Sequence, residues 1–199
     1  MPENILLAGV GGQGIVTAGD LVAQAALIAG RQVKKAEVHG MAQRGGSVVS
    51  HVRISSDGPV YSPMIPDGHA DFLIALELLE GLRWTWMLRP AGRVIADDRR
   101  VAPSSVSTGS AEYPAQPEKP LAEGGLVLPA TQLAGQAGVP RAANVLVLGA
   151  LSVHLDLPAG AWDEALAGVI KTRHLETNRG LFRAGRDLAL ERLNRATDG

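Results

Sequence analysis

The 199 residues carry 19 basic and 20 acidic side chains, a formal net charge of -1 and a hydrophobic fraction of 46%. That is enough apolar material for a buried core, and charge spread so evenly argues against nucleic acid or a membrane surface as the main partner. There is no cysteine, so this polypeptide offers no disulfide, no thiolate metal site, no cysteine nucleophile and no cysteine-held iron–sulfur cluster. The opening MPENILLAGVGG lacks the basic and long apolar regions of a secretory signal, and no apolar run reaches membrane-spanning length. The expected location is therefore cytoplasmic.

The first element, NILLAGV at 4–10, is a short apolar run that predicts a strand buried on both faces of a parallel sheet. From Gly14 to about Ala29, Ile15, Leu21, Val22, Ala25 and Ala26 recur at helical spacing, and Gly30 stands where a helix stops. QVKKAEVH at 32–39 reads as a second strand, so the opening is strand, glycine-rich turn, helix, strand, a right-handed crossover unit. Ser47 to Ile54 alternates as a third strand with one wetter face. A turn-rich connector leads to ADFLIALE at 70–77 as a strand, LLEGLRWTWML at 78–88 as a helix and GRVIADD at 92–98 as the next strand. Residues 99–125, rich in proline and serine, read as a long irregular surface excursion. One more short strand with its helix follows at 125–138, then an apolar helix at 141–158 and two amphipathic helices at 161–173 and 174–196. The expected class is α/β: one domain over 1–199, Rossmann-like and three-layered, with a mostly parallel sheet, helices on both faces and a helical C-terminal third.

Two stretches carry chemistry. GVGGQG places Gly9, Gly11 and Gly14 in a G-x-G-x-x-G pattern at a strand-to-helix junction, where glycines let the backbone approach a ligand and the helix start presents unpaired N–H groups to an anion. Gly9, Gly11, Gly12, Gln13 and Gly14 are accordingly candidates for cofactor contact. Two other readings stay open: close helix–sheet packing alone, or a dinucleotide site in which Glu37 grips a ribose. The second stretch, AEVHGMAQRGGSVVSHVRIS at 36–55, has far more chemistry at its centre than a turn needs. His39 can exchange a proton near neutral pH, Gln43 can donate or accept, and Arg44 can grip a carboxylate or phosphate with two parallel bonds. Gly45 and Gly46 permit close approach of a cofactor or of a partner's backbone. An internal ion pair for Arg44 and ordinary packing for His39 are the alternatives. Met41 beside Arg44 also suits a surface covered by another subunit. His51 and His69 read as structural or surface residues, and nothing has metal-ligand spacing.

GVGGQGIVTAGDLVAQAAL, KKAEVHGMAQRGGSVVSHVRI, YSPMIPDGHADFLIALELLEGLR, AANVLVLGALSVHLDLP and ETNRGLFRAGR together resemble the gamma-type subunit or domain of the thiamine-dependent 2-oxoacid:ferredoxin oxidoreductases, and its indolepyruvate branch in particular. The resemblance covers most of the chain in the family's order and leaves out the 99–125 excursion. It implies a non-thiamine subunit in the oxidative decarboxylation of a 2-oxoacid such as indolepyruvate to an acyl-coenzyme A, with electrons passed to ferredoxin. Thiamine diphosphate, magnesium and the iron–sulfur clusters would belong to a larger alpha subunit, coenzyme A would be a co-substrate, and this chain alone would bind no cofactor. The absence of cysteine and of a Gly-Asp-Gly thiamine–metal signature agrees. A free-standing nucleotide-binding enzyme and a regulatory or assembly module of the same fold are the competing readings.

Overall fold

The computed structural model describes residues 2–39 and 46–197. Six strands, β1 (Glu3–Val10), β2 (Gln32–His39), β3 (Ser47–Ser55), β4 (Ala70–Ala75), β5 (Leu88–Asp97) and β6 (Gly125–Leu128), form one sheet in the order β2-β3-β1-β4-β5-β6. β1, β4, β5 and β6 pair in parallel, whereas β3 is antiparallel to both of its neighbours. The first two strands therefore run in the same direction, as a crossover requires, but β3 lies between them.

The helices are α1 (Ile15–Ile28), α2 (Leu78–Trp84), α3 (Ser104–Ser107), α4 (Glu118–Glu123), α5 (Ala130–Gln136), α6 (Ala143–Leu151), α7 (Ala159–Val169) and α8 (Thr172–Thr197). Alternate side chains of β1 enter two separate cores, which is why its sequence is apolar without alternation. Ile5 and Leu7 pack with Ile15, Val22, Leu146 and Trp162 of α1, α6 and α7, while Leu6 and Ala8 pack with Leu78 and Leu121 of α2 and α4. Each fully buried leucine or isoleucine contributes roughly 1.5–3 kcal/mol, so this strand anchors both layers. α6 is buried at every position, enclosed by the sheet and by α8. No helix among the described residues is long and apolar enough to cross a membrane.

Three stretches differ from the sequence reading, one of them the apolar helix expected over 141–158, which as α6 ends at Leu151, seven residues before Pro158. The helix expected over 78–88 ends at Trp84, passes through a 3₁₀ turn and gives way to β5 at Leu88. Pro90 cannot continue a helix, and Leu88 pairs with Ala70 before a register shift. The 99–125 segment is more than a surface loop. Its Leu121 is fully buried, and its Tyr113 hydroxyl donates to Glu77, a carboxylate only 1% exposed that also accepts the backbone N–H groups of Glu80 and Val101. Burial and that carboxylate push the Tyr113 phenol up.

His51 of β3 is buried, and its Nδ1 accepts the backbone N–H of Ile65 at 3.3 Å. Burial depresses its pKa below the usual 6.5. The unfolded chain takes up this proton near 6.5 and the folded chain only at lower pH, so stability is full above that value and is lost as pH falls below it. His154, depressed by burial and by Arg93, acts in the same direction. The melting temperature should therefore fall between about pH 7.5 and 5.5. His51→Asn, which keeps an acceptor but cannot take up the proton, should flatten that slope in a thermal scan.

Candidate functional site

β1 ends in the glycine-rich turn and α1 starts from it. Gly12 (φ 98°) and Gly14 (φ 82°) occupy the left-handed region, and α1 has no side-chain cap at its N-terminus. Gly14 is also sterically required, because a Cβ there would come within 2.7 Å of Asn144 Nδ2. Asn144, 5% exposed, donates to the Gly14 carbonyl at 3.1 Å and accepts the Val145 N–H at 2.9 Å. One amide thus joins the start of α6 to the turn.

The other predicted residues divide by role. Gln13 turns its Oε1 inward to accept the Val10 N–H at 2.7 Å, which braces the turn, and its Nε2 is buried without a hydrogen-bond partner. Gly9 lies within β1, where a Cβ would meet Gln13 Oε1 at 2.7 Å and Ile15 Cδ1 at 2.8 Å. Close packing is thus one reason for glycine at this position. Gly11 donates its N–H to the Gly46 carbonyl at 2.9 Å, which ties the turn to the base of the second stretch. Ser47, next along, donates to the buried Glu80 carboxylate, which Arg83 also holds. Gln43, Arg44 and Gly45 fall outside the described residues.

Gly11, Gly12, Gly14 and His39 are brought together around a cavity of about 460 Å³ that Val16 and Val48 also line. On the other side of the turn lies a second cavity, of about 560 Å³, lined by Gly12, Gly14, Thr17, Arg141, Asn144 and Lys171 among others. Among the described residues, no acidic side chain lines it. Arg141 and Lys171 are exposed and form no ion pair among the described residues. With open helix N–H groups, left-handed glycines and two unpaired cations, the arrangement suits an anionic ligand. A dinucleotide is disfavoured. Glu37 lies on β2, separated from the glycine turn by the whole of β3, and its carboxylate holds Lys35 at 2.6 Å.

Sequence reading missed Arg141, Asn144 and Lys171. The stretch AANVLVLGAL offered one signal: a lone asparagine opening an otherwise apolar helix marks a buried polar group with a specific partner.

Residues 4–188 match the family model described as pyruvate ferredoxin/flavodoxin oxidoreductase. The chain is 40% identical to indolepyruvate oxidoreductase subunit IorB of Archaeoglobus fulgidus, covering 96% of each chain. It is likewise 40% identical to the Thermococcus kodakarensis subunit of the same name, covering 96% of this chain and 97% of that one. Among solved structures, the 2-oxoglutarate:ferredoxin oxidoreductase of Magnetococcus marinus, with 2-oxoglutarate, coenzyme A and succinyl-CoA bound, superposes with a TM-score of 0.73 at 25% identity. That match spans 96% of this chain and 31% of the longer one. The keto/oxoacid ferredoxin oxidoreductase gamma subunit of Geobacter sulfurreducens shares the fold, with a TM-score of 0.70 at 24% identity over 95% and 99% of the two chains.

Proposed function

The chain belongs to the pyruvate ferredoxin/flavodoxin oxidoreductase family, and on that premise we propose that it is the non-thiamine subunit of a 2-oxoacid:ferredoxin oxidoreductase acting on indolepyruvate or a related arylpyruvate. It works with a larger partner subunit. Thiamine diphosphate, magnesium and the iron–sulfur clusters reside there, since a chain with no cysteine cannot ligate a cluster through thiolates, and ferredoxin takes the electrons from the assembled complex.

The observation that carries the reading is the cavity on one side of the glycine turn, with Arg141 and Lys171 at its wall and no acidic lining residue among those described. Those residues fit the phosphate-bearing part of coenzyme A. The group, when bound, supplies the thiol that accepts the acyl product. Within this chain, Arg141 and Lys171 attract its phosphates, Gly12 and Gly14 let it approach the backbone, and Asn144 fixes the turn's geometry. In this proposal His39, Gln43 and Arg44 serve the partner's reacting centre, and Gly45 and Gly46 permit close contact.

Co-expression with the larger subunit provides the test. Indolepyruvate-dependent reduction of a viologen dye, with coenzyme A present, should require both chains. Turnover by this chain alone, or an assembled complex that oxidises only non-aromatic 2-oxoacids, would overturn the corresponding part of the proposal.

A further inference from the structure

The two edges of the sheet are protected very differently. β6 is four residues long and runs into Pro129, so it offers little to pair with. β2 is eight residues long, contains neither proline nor glycine, pairs with β3 without a bulge, and makes no hydrogen bonds on its outer side among the described residues. An unblunted edge of this kind is a template for another strand.

The surface beside it is apolar as well. Asp20 of α1 reaches Lys35 of β2, which fixes the side of the helix that lies toward this edge. Val16, Asp20, Ala23 and Leu27 share that side by helical spacing. Val16, Leu27 and, on β2 itself, Val38 are 40%, 54% and 46% exposed. These are three of the eight large apolar side chains left exposed among the described residues; Val16 and Leu27 flank the edge on the α1 face of the sheet, whereas Val38, opposite Val49, lies on the other face.

We propose that β2 pairs with β2 of a second copy of this chain, antiparallel across a two-fold axis at Ala36, making one continuous sheet with the two α1 helices side by side. The sequence of β2 selects both partner and register. A two-fold axis normal to the sheet keeps odd-numbered residues opposite odd-numbered ones. Centred on Ala36, the pairing places Lys35 opposite Glu37 of the second copy, and Glu37 opposite Lys35. Sliding by one pair in either direction sets Lys35 against Lys35 or Glu37 against Glu37, and directly opposed like charges are destabilising. In the favoured register, the stem of Lys34 also covers the exposed Val38 of the other copy.

The native chain has no cysteine, so an introduced one is the only thiol that this subunit contributes to the assembled complex. Opposed Cα atoms in an antiparallel pair lie about 4.5–5.5 Å apart, within disulfide reach. Ala36→Cys should give, on mild oxidation, a covalent dimer of this chain in most molecules. Lys34→Cys alone should give almost none, and Lys34→Cys/Val38→Cys should restore it. Ala36→Glu, which opposes two carboxylates on the axis, should raise the dimer dissociation constant of the full chain at least tenfold in sedimentation, and Ala36→Gln should change it little. Equal cross-linking from positions 34 and 36, no cross-link at 36, or a disulfide from position 36 to the larger subunit would overturn the proposal. None of these readouts depends on catalytic activity, so failure here is separate from failure of the functional assignment.

Discussion

Gly149→Ala and Gly185→Ala should each lower the melting temperature of the chain by about 6–12 °C, the opposite of what the same change usually does in a helix. At an ordinary helical position, replacing glycine with alanine adds up to about 1 kcal/mol of stability through propensity. Here the sign reverses because α6 and α8 cross with their backbones in contact. A Cβ at Gly149 would stand 2.0 Å from the Phe182 carbonyl oxygen, and one at Gly185 would stand 1.9 Å from that of Leu146. No rotamer change relieves a clash with backbone, so the helices must separate. Overpacking of this severity costs about 3 kcal/mol, at the upper end of the usual range. Gly180 supplies the control: it lies on the same helix with nothing within 4 Å of its would-be Cβ. Gly180→Ala should raise the melting temperature by a few degrees. Differential scanning fluorimetry on all three variants decides the matter, and a rise for Gly185→Ala would show that the helices do not approach so closely.

The same glycines show what could be read from the sequence and what could not. Local signals placed β1, α1, β2, β3 and β4 to within a few residues, because hydrophobic period and glycine punctuation depend only on neighbours in the chain. The insertion of β3 between β1 and β2 left no local trace; it follows from strand pairing across the sheet. For α2, the apolar residues of TWML masked a helix end that the 3₁₀ turn and the pairing of Leu88 impose. In the site, the glycine-rich turn was legible as a strand-to-helix junction, whereas the left-handed conformations that require glycine at Gly12 and Gly14 were seen only in the structure. The role of Gly9 was not legible either, since it depends on where Gln13 and Ile15 direct their side chains. Arg141, Asn144 and Lys171 lie more than a hundred residues from the turn they adjoin. Only the packing of α6 on α1 and the turn into α8 brings them there, so no spacing rule could find them.

Arg141→Glu combined with Lys171→Glu should raise the KM of the assembled complex for coenzyme A by about tenfold to a hundredfold while leaving the KM for the 2-oxoacid within a factor of about two. Both side chains are exposed at the wall of a cavity that, among the described residues, no acidic side chain lines, and neither forms an ion pair among those residues. Their charge is therefore available to an anion, and reversing it turns attraction into repulsion at the same positions. A charge-assisted hydrogen bond contributes about 1.5–3 kcal/mol when shielded from solvent and less at an exposed rim. The two reversals together correspond to roughly 1.4–2.8 kcal/mol, which is the stated range of KM. Melting temperature should scarcely change, since no internal contact is lost. Ionic strength gives an independent reading: salt should weaken coenzyme A binding to the native complex by screening, and should do so much less in the double variant. If instead the cations dock an acidic surface of the larger subunit, the variant should fail to co-purify with it. A complex that assembles with an unchanged KM for coenzyme A would remove these two residues from the ligand site.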